Sequence, residues 1–214
     1  MLRRFTLTIL VLLIAVPALA GGRFFYVRGC TPAVPTTVGE TFRFYGTLIR
    51  PSGQYGFVGL IPLDFDNEQH TIVMEGEVSW AFEDVRFNTW DIRVDALRVH
   101  IFSDMGPASE ADYPNPFSFQ DGTDIASGLA AFWINANASP QIRFFGGQIS
   151  VWDGGTRLGD VLSAPRLYGP DAFLGNPIDQ APPAGYAQCL EFLLGDQDFP
   201  VEGKTWSALK ALYR

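Results

Sequence analysis

The residues with the most obvious potential for chemistry are the carboxylates of the segment DFDNEQHTIVME, residues 64–75. Acidic side chains stand at its positions one, three, five and twelve, which is the spacing of a helical calcium loop. Such a loop needs glycine at position six, where this chain has Gln69, and it connects two helices. The flanking residues follow strand patterns instead. We therefore predict a β-hairpin corner at Asn67-Glu68 whose acids face water.

A second, looser calcium hypothesis concerns Asp121 and Asp124, which flank Gly122-Thr123. Two carboxylates across a turn supply the oxygen ligands that Ca²⁺ prefers. Asp beside Gly is also an ordinary turn former, so both interpretations stay open. We therefore predict no cofactor, with calcium at Asp121 and Asp124 as the alternative.

Hydrolytic enzymes would be expected to leave clearer signatures than this chain shows. It has no G-x-S-x-G, H-E-x-x-H or C-x-x-C motif, and its two histidines, His70 and His100, lie in or beside predicted strands. Paired carboxylates can cleave glycosides, but the many acids here compete for that role and their spacing selects none. We assign no catalytic residue.

Aromatic side chains are abundant, with 18 Phe, 7 Tyr and 5 Trp, and exposed rings can form platforms for sugars. Trp80 and Trp133 fall on apolar strand faces, where we predict core positions. The rings nominated for a ligand platform lie near turns or in proline-rich loops, and they are Trp90, Trp152, Tyr113 and Tyr168. Core packing is the competing role for each of them.

Alternating apolar and polar residues predict that strands position these side chains. Ile72, Met74, Val78, Trp80 and Phe82 alternate with acids, which indicates one strand with a single wet face. Further strands are predicted over 41–49, 56–63, 125–136, 141–145 and 148–152, with a bulge or tight turn at Gly146-Gly147.

The segment after residue 91 changes its apolar phase. Ile92 and Val94 are apolar at even numbers, whereas Leu97 and Val99 are apolar at odd numbers. A β-bulge at Asp95-Ala96 would keep both halves facing the core. We predict an all-β fold, an antiparallel β-sandwich or a partly closed barrel. Helical spacing at the end of the chain adds a short C-terminal helix that Trp206 anchors.

Two proline-rich stretches, 104–122 and 163–188, interrupt this pattern. Proline removes backbone donors from a ladder, so neither stretch can be a regular strand throughout. Ordered loops of this length often carry function, and a plain surface connection is the alternative.

The first twenty residues resemble an export signal. Arg3 and Arg4 precede an apolar run, and the segment ends in the small-x-small pattern of Ala18-Leu19-Ala20. The run is too short for a permanent transmembrane anchor. We expect a signal peptide at 1–20, one secreted or periplasmic domain at 21–214, and no membrane anchor.

The formal net charge of −8 makes nucleic acid an improbable partner, because an acidic surface repels phosphate backbones. The two cysteines of the exported domain, Cys30 and Cys189, would be expected to pair in an oxidising compartment. Two buried, reduced thiols are the alternative.

Several sequence motifs resemble those of exported β-rich bacterial proteins of unknown function. The first is Ile61-Pro62-Leu63-Asp64-Phe65-Asp66 followed by Thr71 to Gly76. Ala111-Asp112-Tyr113, Phe119-Gln120-Asp121-Gly122-Thr123 and the closing Thr205 to Lys210 are similar to the same group. This resemblance implies a bacterial exported protein and supplies no activity, cofactor or site residue.

Three functions fit these observations. The first is a non-catalytic binding or surface protein for an extracellular ligand, with a carbohydrate as the ligand to test. The second is a secreted, carboxylate-dependent hydrolase acting on glycans. The third is a structural component of an envelope or matrix.

Overall fold

The computed structural model describes residues 24–50, 61–105, 112–139, 141–164 and 171–196. These ranges contain nine strands, one short α-helix and a 3-10 helix at Pro116–Phe119. The strands are β1 (Phe24–Thr31), β2 (Thr41–Ile49), β3 (Glu68–Glu77), β4 (Trp80–Asp84), β5 (Thr89–Met105), β6 (Thr123–Asn137), β7 (Ile142–Gly154), β8 (Asp171–Pro177) and β9 (Gln188–Asp196), and the helix α1 is Leu158–Ser163.

The strands form one antiparallel sheet that closes on itself. Their order is β3-β2-β1-β9-β8-β7-β6-β5, and β3 also pairs with β5, with Ile72 opposite Ile101. Eight strands therefore make a barrel, while β4 pairs with the first residues of β5 outside this ring. The predicted all-β antiparallel fold is confirmed, and the barrel alternative describes its closure.

The barrel interior is filled by aliphatic side chains and a cluster of phenylalanine rings. Phe132 contacts Phe42, Phe145 and Phe173, with ring centroids 4.7, 5.8 and 5.6 Å apart. Phe192 adds a centroid distance of 5.4 Å to Phe145. An eight-stranded barrel is just wide enough for side chains to fill it, and each buried ring contributes about 1.5–3 kcal/mol of burial free energy. Packing of this kind makes the middle of the barrel a core.

The predicted bulge in β5 is confirmed. The pairing of β5 with β6 shifts register between Val94 and Leu97, and both side chains are buried in the core. The extra residue lets the apolar side chains on both sides of Asp95-Ala96 point inward, as the phase change requires.

The same bend changes the partner strand, which the sequence prediction did not include. Glu75 pairs with Arg98 and Trp80 with Arg93, so β3 and β4 keep one register along β5. The residues of β3 and β4 that lie opposite the bulge in β5 must then change phase too. Ala81 packs against the core, whereas Trp80 is 45% exposed.

Two predicted positions are therefore corrected. Trp80 and Phe82 do not continue the buried face of Ile72, because the strand changes phase after Val78. Trp133, predicted as core, faces outward between Phe132 and Ile134, which are both buried. The outward side of the wall thus carries tryptophans that the alternation rule assigned to the interior.

Strand β7 runs without a turn through Gly146 and Gly147, contrary to the predicted interruption. A Cβ on Gly146 would lie 2.4 Å from the Trp133 ring, and a Cβ on Gly147 would lie 2.5 Å from the Phe173 ring. The two glycines make room for aromatic rings on opposite faces of the sheet. Close packing against these rings, and not a turn, explains why glycine occupies both positions.

Other predicted segments have mixed outcomes. The strand at 41–49 matches β2, but the sequence prediction lacks β1, β8 and β9. Residues 61–63 are irregular, and 56–60, the signal segment and the C-terminal helix around Trp206 lie outside the described residues. The prediction also lacks α1, whose Val161 packs into the core.

The predicted disulfide between Cys30 and Cys189 is present. The two residues are direct partners in the β1–β9 ladder, where the first and last described strands meet. The bridge joins positions 159 residues apart, a separation for which chain-entropy models give roughly 4–5 kcal/mol. It therefore holds the barrel closed at the junction of its ends.

Candidate functional site

The tryptophans nominated for a ligand platform do not form one. Trp152 is buried, with 7% of its surface exposed, and its Nε1 donates a hydrogen bond of 2.7 Å to the Asp171 carboxylate. Trp90 is half-buried and packs against the core. Core packing therefore takes Trp152 almost completely and Trp90 in part.

Tyr113 holds a loop in place, and Tyr168 lies outside the described residues. The Tyr113 ring lies 4.9 Å from that of Tyr186, whose hydroxyl donates to the Tyr113 carbonyl. Phe119 and Tyr45 complete this cluster on the outer side of β2. Burial raises the pKa of Tyr113 to about 12. The two proline-rich stretches thus meet each other on the barrel wall.

The calcium hypothesis at Asp121 and Asp124 gains no geometric support. Asp124 Oδ2 lies 2.8 Å from His100 Nδ1, so that carboxylate oxygen already has a partner. Across the described ranges, no three His, Cys, Asp or Glu side chains come together in a way that would hold a metal.

The opening segment forms a turn, but Asn67-Glu68 is not the predicted hairpin corner, because residues 61–63 before the turn are irregular and β3, which includes Glu68, pairs with β2 and β5. The Asp64 side chain accepts hydrogen bonds from the backbone of Asp66 and from the backbone and side chain of Asn67. Strand β3 then begins at Glu68. The Asp64 carboxylate is used to close the turn, and these bonds lower its pKa.

An exposed aromatic pair lies on β4 instead. The rings of Trp80 and Phe82 are nearly parallel, at 18°, with centroids 6.0 Å apart. The guanidinium carbon of Arg93 lies 5.5 Å from the centroid of the Trp80 ring. Trp80 and Phe82 are 45% and 49% exposed. We call these three side chains the hairpin face.

The hairpin face continues across the outer wall of the barrel. Arg93 pairs with Trp133 of β6, and Trp133 contacts Phe144 of β7 edge to face at 5.9 Å. Asn135 donates a 2.6 Å hydrogen bond to Asp91 between these rows. Aromatic rings and hydrogen-bonding groups therefore alternate over four neighbouring strands.

The tip of the hairpin is also apolar. Val85 and Phe87 are exposed in the turn that joins β4 to β5. Asp84 accepts hydrogen bonds from the backbone and guanidinium of Arg86, and these bonds lower the pKa of Asp84. Asn88 has a φ of 54°, in the left-handed region that asparagine tolerates and tight turns require. The turn is thus locally fixed while its apolar side chains face solvent.

A second group of polar side chains lies where β3 begins and β5 ends, which we call the His70 end. His70 is 1% exposed, and within the described residues neither ring nitrogen has a hydrogen-bond partner. Its Nε2 lies 3.8 Å from Glu68, which accepts a 2.6 Å hydrogen bond from Ser103. Burial lowers the pKa of His70, so the ring is held neutral.

Two aspartates face inward at the same end of the barrel. Asp171 and Asp196 are direct partners across β8 and β9, with 2% and 0% exposure. They follow the inward phase of Phe173 and Leu194. Two carboxylates on paired strand positions could serve acid–base chemistry, but burial keeps both of them away from a bulky substrate.

The sequence prediction did not identify His70 or the Asp171–Asp196 pair as buried groups, although the alternation of apolar residues in their strands indicates it. His70 shares the parity of Ile72 and Met74, and Asp196 shares that of Phe192 and Leu194, so strict alternation places them inside. The exposure of Trp80 follows from the phase change in β5 once the two strands are paired.

Within the described part of the chain, no helix has the length and apolarity needed to cross a bilayer. Comparison of the chain with protein-family models, with curated proteins and with solved structures found no match.

Proposed function

We propose that this chain is an exported, non-catalytic binding protein that recognises a glycan through the hairpin face. The observation that carries the proposal is the exposed, nearly parallel pair of Trp80 and Phe82. The interior of the barrel is filled by buried side chains and has no room for a ligand, so we place the binding surface on the outer wall.

A glycan fits this surface for chemical reasons. Sugar rings present flat arrays of C–H groups, which pack on aromatic faces, and hydroxyls, which need donors and acceptors beside those faces. Trp80 and Phe82 are two residues apart on one strand, so their side chains share one face of the sheet. Arg93 supplies N–H donors at the edge of the same pair.

Two features support export. Residues 1–20 have the charge and apolar pattern of a signal peptide. The Cys30–Cys189 disulfide is the kind of bond that persists in oxidising compartments. A secreted or periplasmic location would bring the hairpin face into contact with polysaccharides outside the cell.

A glycan array tests the binding proposal. The unmodified protein and the Trp80→Ala and Phe82→Ala variants are compared with Phe117→Ala, which removes an exposed ring from the 3-10 helix. We expect the unmodified protein and Phe117→Ala to bind the same glycans, and both hairpin variants to lose that binding. An array without any bound glycan would overturn the proposal.

A carboxylate-dependent hydrolase is the second candidate, and the Asp171–Asp196 pair is the observation that favours it. If the pair were catalytic, the protein would release reducing sugar from a glycan that it binds, and Asp171→Asn would abolish the release. We rank this function second, because both carboxylates are buried.

A further inference from the structure

We infer that the glycan is acidic and carries carboxylates that Arg93 and Arg143 bind. This inference rests on the proposed function and adds the chemical class of the ligand. The ion pairs of the described residues separate these two arginines from the others.

Most described arginines already have an acidic partner. Those with a carboxylate oxygen within 4.0 Å are Arg28, Arg43, Arg50, Arg86, Arg98 and Arg157. In the same residue ranges, Arg93 and Arg143 form no such pair, and both are exposed. An unpaired arginine is notable here, because the chain carries a formal net charge of −8 and offers many acids.

Both arginines lie on the outer wall that carries the aromatic rings. Arg93 is on β5 beside Trp80, and Arg143 is on β7 next to Phe144. Strand β6 lies between them, so the two strands that carry the arginines are about 10 Å apart laterally. Arg93 is level with Gly146 through Trp133, so Arg143 is also displaced by three residues, about 10 Å, along the strand direction. This offset suits two acidic groups on one extended oligosaccharide that lies diagonally across the strands.

Asp91, which pairs with Phe82 across β4 and β5, is an acid on the same surface. Asp91 lies between the aromatic rows, is 7% exposed, and accepts a 2.6 Å hydrogen bond from Asn135. Its carboxylate is therefore directed to a neighbouring amide within the sheet. The exposed positive groups of this surface remain available to a ligand.

The geometry of Arg93 favours a carboxylate in particular. The guanidinium carbon of Arg93 lies over the Trp80 ring, 5.5 Å from its centroid, so the ring holds the guanidinium group at this surface. The N–H edges of a guanidinium group match the two oxygens of a carboxylate, which can accept two parallel hydrogen bonds. Because the ring restrains the side chain before binding, less rotational freedom is lost on association.

Titration calorimetry with two matched probes tests the inference. The acidic probe is a galacturonate hexasaccharide, and the neutral probe is the same oligosaccharide as its methyl ester. We expect the full-length protein to bind the acid at least tenfold more tightly, and high salt to remove most of that preference.

Variants locate the effect. Arg93→Gln and Arg143→Gln should each weaken binding of the acid about tenfold and leave the weak binding of the ester unchanged. The matched control is Arg43→Gln, which removes an exposed arginine that is paired with Glu75 on another part of the wall. It should bind the acid like the unmodified protein.

The results separate this inference from the proposed function. Equal binding of the two probes, no binding of the acid, or a glycan array with neutral glycans alone would overturn the inference. A set of bound neutral glycans would leave the proposed function standing, whereas an array without any bound glycan would remove both.

Discussion

Trp80 and Arg93 are direct partners across β4 and β5, and the guanidinium carbon lies 5.5 Å from the centroid of the indole ring. The contact joins a residue beyond the barrel ring to the long strand of the wall. The contact therefore helps to fix the β4–β5 hairpin and also forms part of the exposed surface of that hairpin.

A double-mutant cycle should detect this contact in stability. Trp80→Ala and Arg93→Ala, alone and combined, are compared by urea unfolding. We expect a coupling free energy of about 0.5–1 kcal/mol, typical of an exposed cation–π pair. Strictly additive changes would show that the two side chains do not interact in solution.

Removal of the buried indole donor should destabilise the barrel. Trp152→Phe leaves the ring volume partly filled but takes a 2.7 Å hydrogen bond from the buried Asp171. We expect a loss of about 1–3 kcal/mol in the free energy of unfolding. Trp80→Phe is the control, since its ring is exposed, and it should change stability by less than about 0.5 kcal/mol. Equal losses would contradict the burial of Trp152.

Stability should depend on pH through His70. Its folded pKa lies below the unfolded value of about 6.5, because burial disfavours the charged ring, so the unfolded chain binds the extra proton first. As far as His70 is concerned, the folded protein therefore keeps its full stability above pH 6.5. Its free energy of unfolding decreases as the pH falls toward the folded pKa of His70, with a slope of up to about 1.4 kcal/mol per pH unit.

The His70→Leu variant should lack this dependence on pH between the folded pKa and 6.5. It also removes two buried ring nitrogens that have no hydrogen-bond partner within the described ranges, and it should be no less stable than the unmodified protein at neutral pH. Glu68 and Arg157 lie near the ring and stay in the variant. His100→Gln is the control, and its profile should keep the slope. A slope that persists in His70→Leu would assign the effect to other groups.

The close approach at Gly146 predicts a sharp difference between two glycines. Gly146→Ala places a methyl group against the Trp133 ring and should lower stability by about 1–3 kcal/mol. Gly159→Ala, in α1, meets no atom within 4 Å and should raise stability by about 0.4–1 kcal/mol. Thermal or urea unfolding measures both, and a tolerated Gly146→Ala would mean that Trp133 moves aside easily.

Loss of the disulfide should be the largest of these effects. Replacement of Cys30 and Cys189 by alanine is expected to lower the free energy of unfolding by about 4 kcal/mol, because the bridge joins positions 159 residues apart. The unmodified protein, unfolded with a reductant present, should approach the same value. A variant as stable as the oxidised protein would mean that the barrel closes equally well without the bond.

Alternation along single strands predicted much of this fold. The phase change at Asp95-Ala96 located the bulge, and the strand predicted over 125–136 matches β6. Compartment reasoning, rather than geometry, gave the pairing of Cys30 with Cys189. These predictions depend on local residue patterns or on the presence of two cysteines, and a single sequence contains both kinds of information.

The candidate site was harder to predict, because it depends on pairing between strands. Trp80 belongs to an apolar alternation by its own neighbours, and only its register with Arg93 transfers the phase change of β5 to it. Arg143 has no acidic partner among the described residues, and this is likewise a property of three-dimensional neighbours. The residue types were visible in the sequence, whereas their exposure was not.

The position of the disulfide has a topological consequence. Cys30 lies in the first described strand and Cys189 in the last, so the bond makes a covalent ring of the chain from 30 to 189. A protease that cuts one surface loop inside this ring leaves both fragments linked in a single nicked molecule. The fragments separate on a denaturing gel once a thiol reagent opens the bridge.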